Sequence, residues 1–163
     1  MKEIKLSKNK KAIVDDCDFD SLSKYNWYFA EKSRSRFGYA VTDLKNKENP
    51  FGVRHVTMHR FLLKPKIGIL IDHINGNGLD NRRSNLRECN STQNNANFFI
   101  GKKNKSGYKG VSFHKLTNKW RTTLSYKNKQ IYGGLFNDKK EAAKKYNELA
   151  TEYFKNFARL NKI

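Results

Sequence analysis

Asp72 and His73 are adjacent in this chain, with Asn85 and Asn94 downstream. A carboxylate is a hard oxygen ligand suited to Mg2+ or Mn2+. A neutral imidazole accepts a proton near pH 7. At a strand end two adjacent side chains diverge, so one can meet a cation and the other a water molecule. An activated water and a Lewis acid on the departing oxygen are the two requirements of phosphodiester hydrolysis. Adjacency alone does not select that chemistry, since an isolated Asp-His pair is commonly a piece of solvated loop. His59 reads equally well as a neighbour of the site or as a structural strand histidine. His55 and His114 carry no assignment as ligands.

The elements that must hold these residues can be read on both sides. Residues 67–71 form an apolar run, expected as a buried strand that delivers Asp72 and His73 at its end. The loop after it is rich in Gly and Asn, which tolerate positive φ and hydrogen-bond their own backbone. Residues 85–89 suit a second short strand. Ser91 suits the N-cap of a short helix that runs through Asn94 to about Phe98. Arg82, Arg83 and Arg87 read either as clamps on phosphates or as a solvated basic rim.

Residues 1 to about 63 read as strands. Ala12-Ile13-Val14 is one, Asp15, Asp16 and Asp18 mark a turn, and the Trp27-Tyr28-Phe29 group suits a small sheet core. Residues 37–41 are a further strand, 46–50 a turn or loop, and 51–63 a closing strand, giving an antiparallel sheet. Residues 101–107 have linker composition. Three strands are expected after them, at 108–114, 119–126 and 129–136. In the middle one Trp120, Thr122, Leu124 and Tyr126 alternate with Lys119, Arg121, Thr123 and Ser125. A helix follows, with Asp138 and Glu141 spaced as a capping box and an apolar stripe of Ala142, Tyr146, Leu149 and Tyr153. The helix should cover one face of the sheet and leave the other free and basic.

The formal net charge is +19 and the pI about 10.0. Such a charge self-repels unless a polyanion relieves it, and nucleic acid gains affinity through counterion release. The density is uneven: residues 102–163 hold 16 Lys and Arg against 4 Asp and Glu, whereas residues 1–101 hold 18 against 11. No apolar run is long enough to span a bilayer, and the first residues show no secretory pattern. The two cysteines, Cys17 and Cys89, suit reduced thiols and a cytoplasmic protein.

The run Asp72-His73-Ile74-Asn75-Gly76-Asn77, then Asp80-Asn81 and Ser84-Asn85-Leu86-Arg87, resembles the signature of HNH endonucleases, above all the phage and intron-borne homing enzymes. Met58-His59-Arg60-Phe61-Leu62 is similar to the segment preceding it in that group. The resemblance implies a ββα-metal fold holding one Mg2+ or Mn2+. It makes Asp72 the carboxylate metal ligand and His73 the general base. Asn85 becomes the brace that orients the histidine, and Asn94 the second metal ligand, where many relatives have histidine.

A second resemblance covers about 106–161. Tyr108-Lys109-Gly110-Val111, Lys119-Trp120, Gly134-Leu135-Phe136 and Glu141-Ala142-Ala143 with Tyr146 are similar to the plant ethylene-response-factor (APETALA-type) DNA-binding domain. That domain lays a three-stranded sheet, backed by a helix, into the major groove. The likeness implies groove-facing roles for Lys109, Ser112, His114, Thr123, Ser125, Gln130 and Tyr132. Arg121 shares that face by strand alternation. Few of these positions are arginines, which implies a looser base preference than the plant proteins have.

The expected architecture is therefore α+β. A β-rich nuclease domain (1–100) and a linker (101–107) precede a sheet-plus-helix DNA-binding domain (108–163). The expected activity is that of a metal-dependent homing endonuclease acting on double-stranded DNA as a monomer or homodimer, without a membrane. The alternatives are a catalytically inactive, sequence-specific DNA-binding regulator and a basic structural or RNA-binding protein.

Overall fold

The computed structural model describes residues 1–31, 38–44, 54–101 and 103–163. They form a mixed α and β chain with several small antiparallel sheets, divided into compact units at 1–90 and 91–163. The division falls at Ser91, ahead of the linker-like segment.

The first unit opens with a hairpin of β1 (Lys2–Lys5) and β2 (Lys11–Val14). Its turn puts Lys8 and Asn9 at φ 56° and 54°, the left-handed geometry that matches the twist of two-residue hairpin turns. Ile4, Ala12 and Val14 alternate inward to the core with Leu22, Trp27, Ala40 and Met58. The three aspartates read as a turn instead begin helix α1 (Asp16–Leu22). Asp16 and Asp18 lie in its first turn, where carboxylates favour the positive end of the helix dipole. Leu22 is fully buried, and its carbonyl accepts the Trp27 indole N–H at 2.8 Å.

A three-stranded antiparallel sheet follows, β3 (Tyr28–Ala30), β4 (Tyr39–Asp43) and β5 (His55–Thr57), with β4 central. The expected turn at 46–50, Phe37 and residues 51–53 lie outside the described residues. The expected closing strand is corrected in its second half, where Met58–Leu63 is helix α2. Met58, Phe61 and Leu62 recur at i, i+3 and i+4, and all three join the core, a burial only a helix can give them. Lys64 ends the helix at φ 44°.

β6 is Leu70–His73, shifted toward the C-terminus from the expected 67–71. Ile67 is fully exposed because Gly68, at φ 86°, turns the chain there and the Ile69 N–H closes back on the Lys66 carbonyl. β7 (Leu86–Cys89) pairs antiparallel with β6, setting Asp72 opposite Arg87 and His73 opposite Leu86.

The second unit begins with helix α3 (Ser91–Ala96) and continues into a sheet of order β10-β9-β8. Its strands are β8 (Val111–His114), β9 (Lys119–Tyr126) and β10 (Lys129–Phe136). Helix α4 (Lys139–Phe154) buries Ala142, Ala143, Tyr146, Ala150 and Phe154 in the cores it shares with the sheet. Asp138 is its N-cap residue, but no side-chain cap bond forms, so the reciprocal capping box is not made. Gly110, at φ 72°, has no room for a side chain: an added Cβ would lie 2.0 Å from the Tyr146 ring.

Candidate active site

Asp72 and His73 end β6, and both are buried, 6% and 4% exposed. The loop that follows folds back on itself. The Asn75 N–H donates to Asn85 Oδ1 (3.0 Å), while Asn85 Nδ2 donates to the Asp80 carbonyl (2.8 Å) and to Asn75 Oδ1 (3.1 Å). Asn85 thus ties both ends of the loop together. Asp80, almost fully buried, accepts two bonds from the Arg82 guanidinium and one from Asn75 Nδ2. The bonds from Arg82 hold its carboxyl below the usual carboxylate range despite burial.

The N-terminal hairpin and α1 anchor this loop. The Ile13 N–H donates to the Leu79 carbonyl and the Asn81 N–H to the Ile13 carbonyl, both at 2.8 Å, forming a parallel bridge between Ile13 and Asp80. Asp15 accepts the Arg83 backbone N–H at 2.7 Å, and Asp18 takes both arms of the Arg83 guanidinium at 2.8 Å.

Burial pushes the His73 imidazole below its ordinary value, opposed by its contact with Asn81 and by the Asp72 and Asp80 charges. The ring is therefore neutral at pH 7, the state a proton acceptor needs. The side chain at His73 Nε2 is Asn81, whose Oδ1 lies 3.3 Å away, rather than the expected orienting residue Asn85. Asn81 is completely buried. Asp80-Asn81 is part of the pattern that resembles the HNH signature, but the sequence does not reveal the contact of Asn81 with the imidazole, which depends on how the loop folds back onto β6. His59 is buried beside the site, its ring edge-on to His73 at a centroid distance of 4.9 Å and its Nε2 3.1 Å from Thr57 Oγ1. Tyr39 stands within 5.8 Å of the His73 ring. His55 pairs with Asp43 at 2.6 Å at the exposed ends of β5 and β4.

The three arginines are engaged with carboxylates. Arg82 pairs with Asp80, Arg83 with Asp18, and Arg87 places Nε and Nη2 on Asp72 Oδ2 at 3.0 and 2.8 Å. As donor chemistry Asp72 suits a hard divalent cation. Among the described residues no group of three or more His, Cys, Asp or Glu could hold a metal ion. The fit is therefore to a cation completed by amide, solvent and phosphate oxygens, not to a zinc-type cage.

The sequence profile described as HNH endonuclease matches residues 65–96, the span that contains β6, the braced loop, β7 and α3. An uncharacterised HNH endonuclease of Acanthamoeba polyphaga mimivirus is 32% identical, over 87% of this chain and 70% of its own length. The chain belongs to the HNH endonuclease family. Protein 3.8 of Escherichia phage T7 is 41% identical over 63 residues, 39% of this chain and 52% of its own length. No solved structure matches. Membership makes this HNH protein a DNA endonuclease, of a family that depends on divalent metal.

Asn94 sits in α3, within the second unit. In the same unit Ser112, Arg121, Ser125, Gln130 and Tyr132 are exposed, and His114 and Thr123 are half-buried. Pairing sets Ser112 opposite Arg121, Tyr132 opposite Thr123 and Gln130 opposite Ser125, which puts each pair on the same face. His114 Nδ1 lies 2.9 Å from Thr117 Oγ1. Lys109 departs from the expected set. Its ammonium donates to the carbonyls of Asn95, Ala96 and Phe98, at and just beyond the C-terminal end of α3, where the Asn95 and Ala96 carbonyls also accept the Phe98 and Arg159 backbone N–H groups. Burial brings this lysine down to about 8.

Proposed function

We propose that this HNH protein is a homing-type endonuclease that cuts double-stranded DNA at sites read by its C-terminal unit. The observation carrying the reading is the buried Asp72-His73 pair at the end of β6, with the ring held neutral by burial. His73 takes a proton from the attacking water. Asp72 would hold one Mg2+ (Mn2+ substituting), and the HNH resemblance assigns Asn94 as its second ligand. Asn85 braces the loop that supports them. The cation, when bound, stabilises charge on the phosphate and departing oxygen. A 5′-phosphate and a 3′-hydroxyl result. One such centre cuts one strand, so a monomer nicks and two copies break the duplex.

Supercoiled plasmid incubated with Mg2+, Mn2+ or EDTA tests the reading. His73→Ala should lose cleavage and keep DNA binding, and full cleavage by that variant would reject the assignment. The Asp72–Arg87 ion pair favours a second reading, an inactive DNA-binding regulator whose carboxylate is already neutralised. Binding without cleavage under every metal condition would select it.

For the C-terminal unit we propose the ethylene-response-factor mode, with the face of Ser112, His114, Arg121, Thr123, Ser125, Gln130 and Tyr132 in the major groove. The excess of basic residues beyond position 101 supports this. Arg82, Arg83 and Arg87 would approach phosphates only by leaving or sharing their carboxylate partners. Arg121→Ala should weaken binding and lower the salt slope by about 1. An unchanged slope counts against this face.

A further inference from the structure

We infer that Asn81 is a positioning residue that fixes which ring nitrogen of His73 carries the proton, leaving Nδ1 as the accepting atom. This rests on His73 being the proton acceptor in the proposed reaction. The amide of Asn81 has two ends with different neighbours. Its Nδ2 faces the Gly78 carbonyl at 3.5 Å, and its Oδ1 faces His73 Nε2 at 3.3 Å. Reversing the amide would set oxygen against the Gly78 carbonyl, acceptor against acceptor, so this orientation is the one the network assigns. A carbonyl oxygen only accepts. Nε2 must therefore carry hydrogen, and in the neutral ring the lone pair then belongs to Nδ1.

Asn81 can enforce this because it cannot move. It is completely buried, and its backbone N–H is bonded to the Ile13 carbonyl of β2 at 2.8 Å. One residue earlier Asp80 is held by Arg82 and by Asn75. The His59 ring, edge-on at 87°, and Tyr39 flank the imidazole and limit its rotation. The N-terminal hairpin therefore acts on the reacting histidine through Ile13 and Asn81.

Two-bond 1H–15N correlation spectra of the histidine rings test the inference in the full chain. Wild-type His73 should give the Nε2–H pattern. An Nδ1–H pattern overturns the inference without any variant. Asn81→Leu should give a mixture of tautomers and lower kcat on plasmid about 10- to 100-fold with little change in KM. Asn81→Asp keeps an acceptor at that place but adds a charge that favours the imidazolium, so its spectra, taken at a pH where the ring is neutral, should retain the Nε2–H pattern. A folded Asn81→Leu protein with an unchanged pattern also overturns it. If the pattern changes while cleavage does not, the proton assignment stands and the catalytic reading of His73 fails.

Discussion

Arg87→Ala tests the proposed metal site, in which an internal cation and a metal would compete for one carboxylate. Arg87 puts two nitrogens on Asp72 Oδ2, and the side chains are only 15% and 7% exposed. Removing one partner of a buried pair leaves the other charge stranded, at a cost of about 3 kcal/mol. Spread over the residues of the first unit, that corresponds to a fall in midpoint of roughly 12–24 °C when metal is chelated. If Asp72 is the ligand proposed, a divalent cation should then recover more in the variant than in the wild type, because it would not have to displace a guanidinium. At a free metal concentration about 100 times Kd the recovery is about 2.7 kcal/mol. The assay is thermal unfolding of both proteins in EDTA and across a Mg2+ or Mn2+ titration, followed by signals from each unit, since two units need not melt together. A variant as stable as wild type in EDTA, or one that gains no more from metal, would show that Arg87 and the cation do not compete for Asp72.

Cleavage should fall only when the pH drops below the lowered His73 value, so the acid limb should lie below that of an ordinary histidine near 6.5, as a pH–rate profile in saturating metal can check. The same shift has a stability sign: a ring buried neutral contributes stability fully present above 6.5 and lost as pH falls through the folded value. Lys109 gives a second window, because its folded value of about 8 lies below the unfolded 10.5, so the second unit should gain stability as pH rises from about 8 toward 10.5. Lys109→Met should remove that gain in urea melts at pH 7, 8.5 and 10. Gly110→Ala should destabilise the second unit by roughly 3 kcal/mol, measured by urea denaturation, since its Cβ would strike the Tyr146 ring and its φ is left-handed.

Side-chain type and spacing determined much on their own. The alternation of β9 and the apolar stripe of α4 set a sheet with one covered face, because periods of two and near four bury only in a strand and a helix respectively. The Asp-His pair at a strand end and the Gly- and Asn-rich loop after it were legible for the same local reason. Helix α2 was also written in the sequence, as Met58, Phe61 and Leu62, but a short apolar run fits either element until the core is known. What only the tertiary structure decided was partnership. Arg83 reaches Asp18 across 65 residues of chain, and the backbone of Asn81 is held by Ile13. The three arginines that looked like phosphate clamps are each bound to a carboxylate, and Lys109 turns to the end of α3. Charge and polarity are local properties of a residue, but which group neutralises it depends on where the folded backbone brings distant segments together.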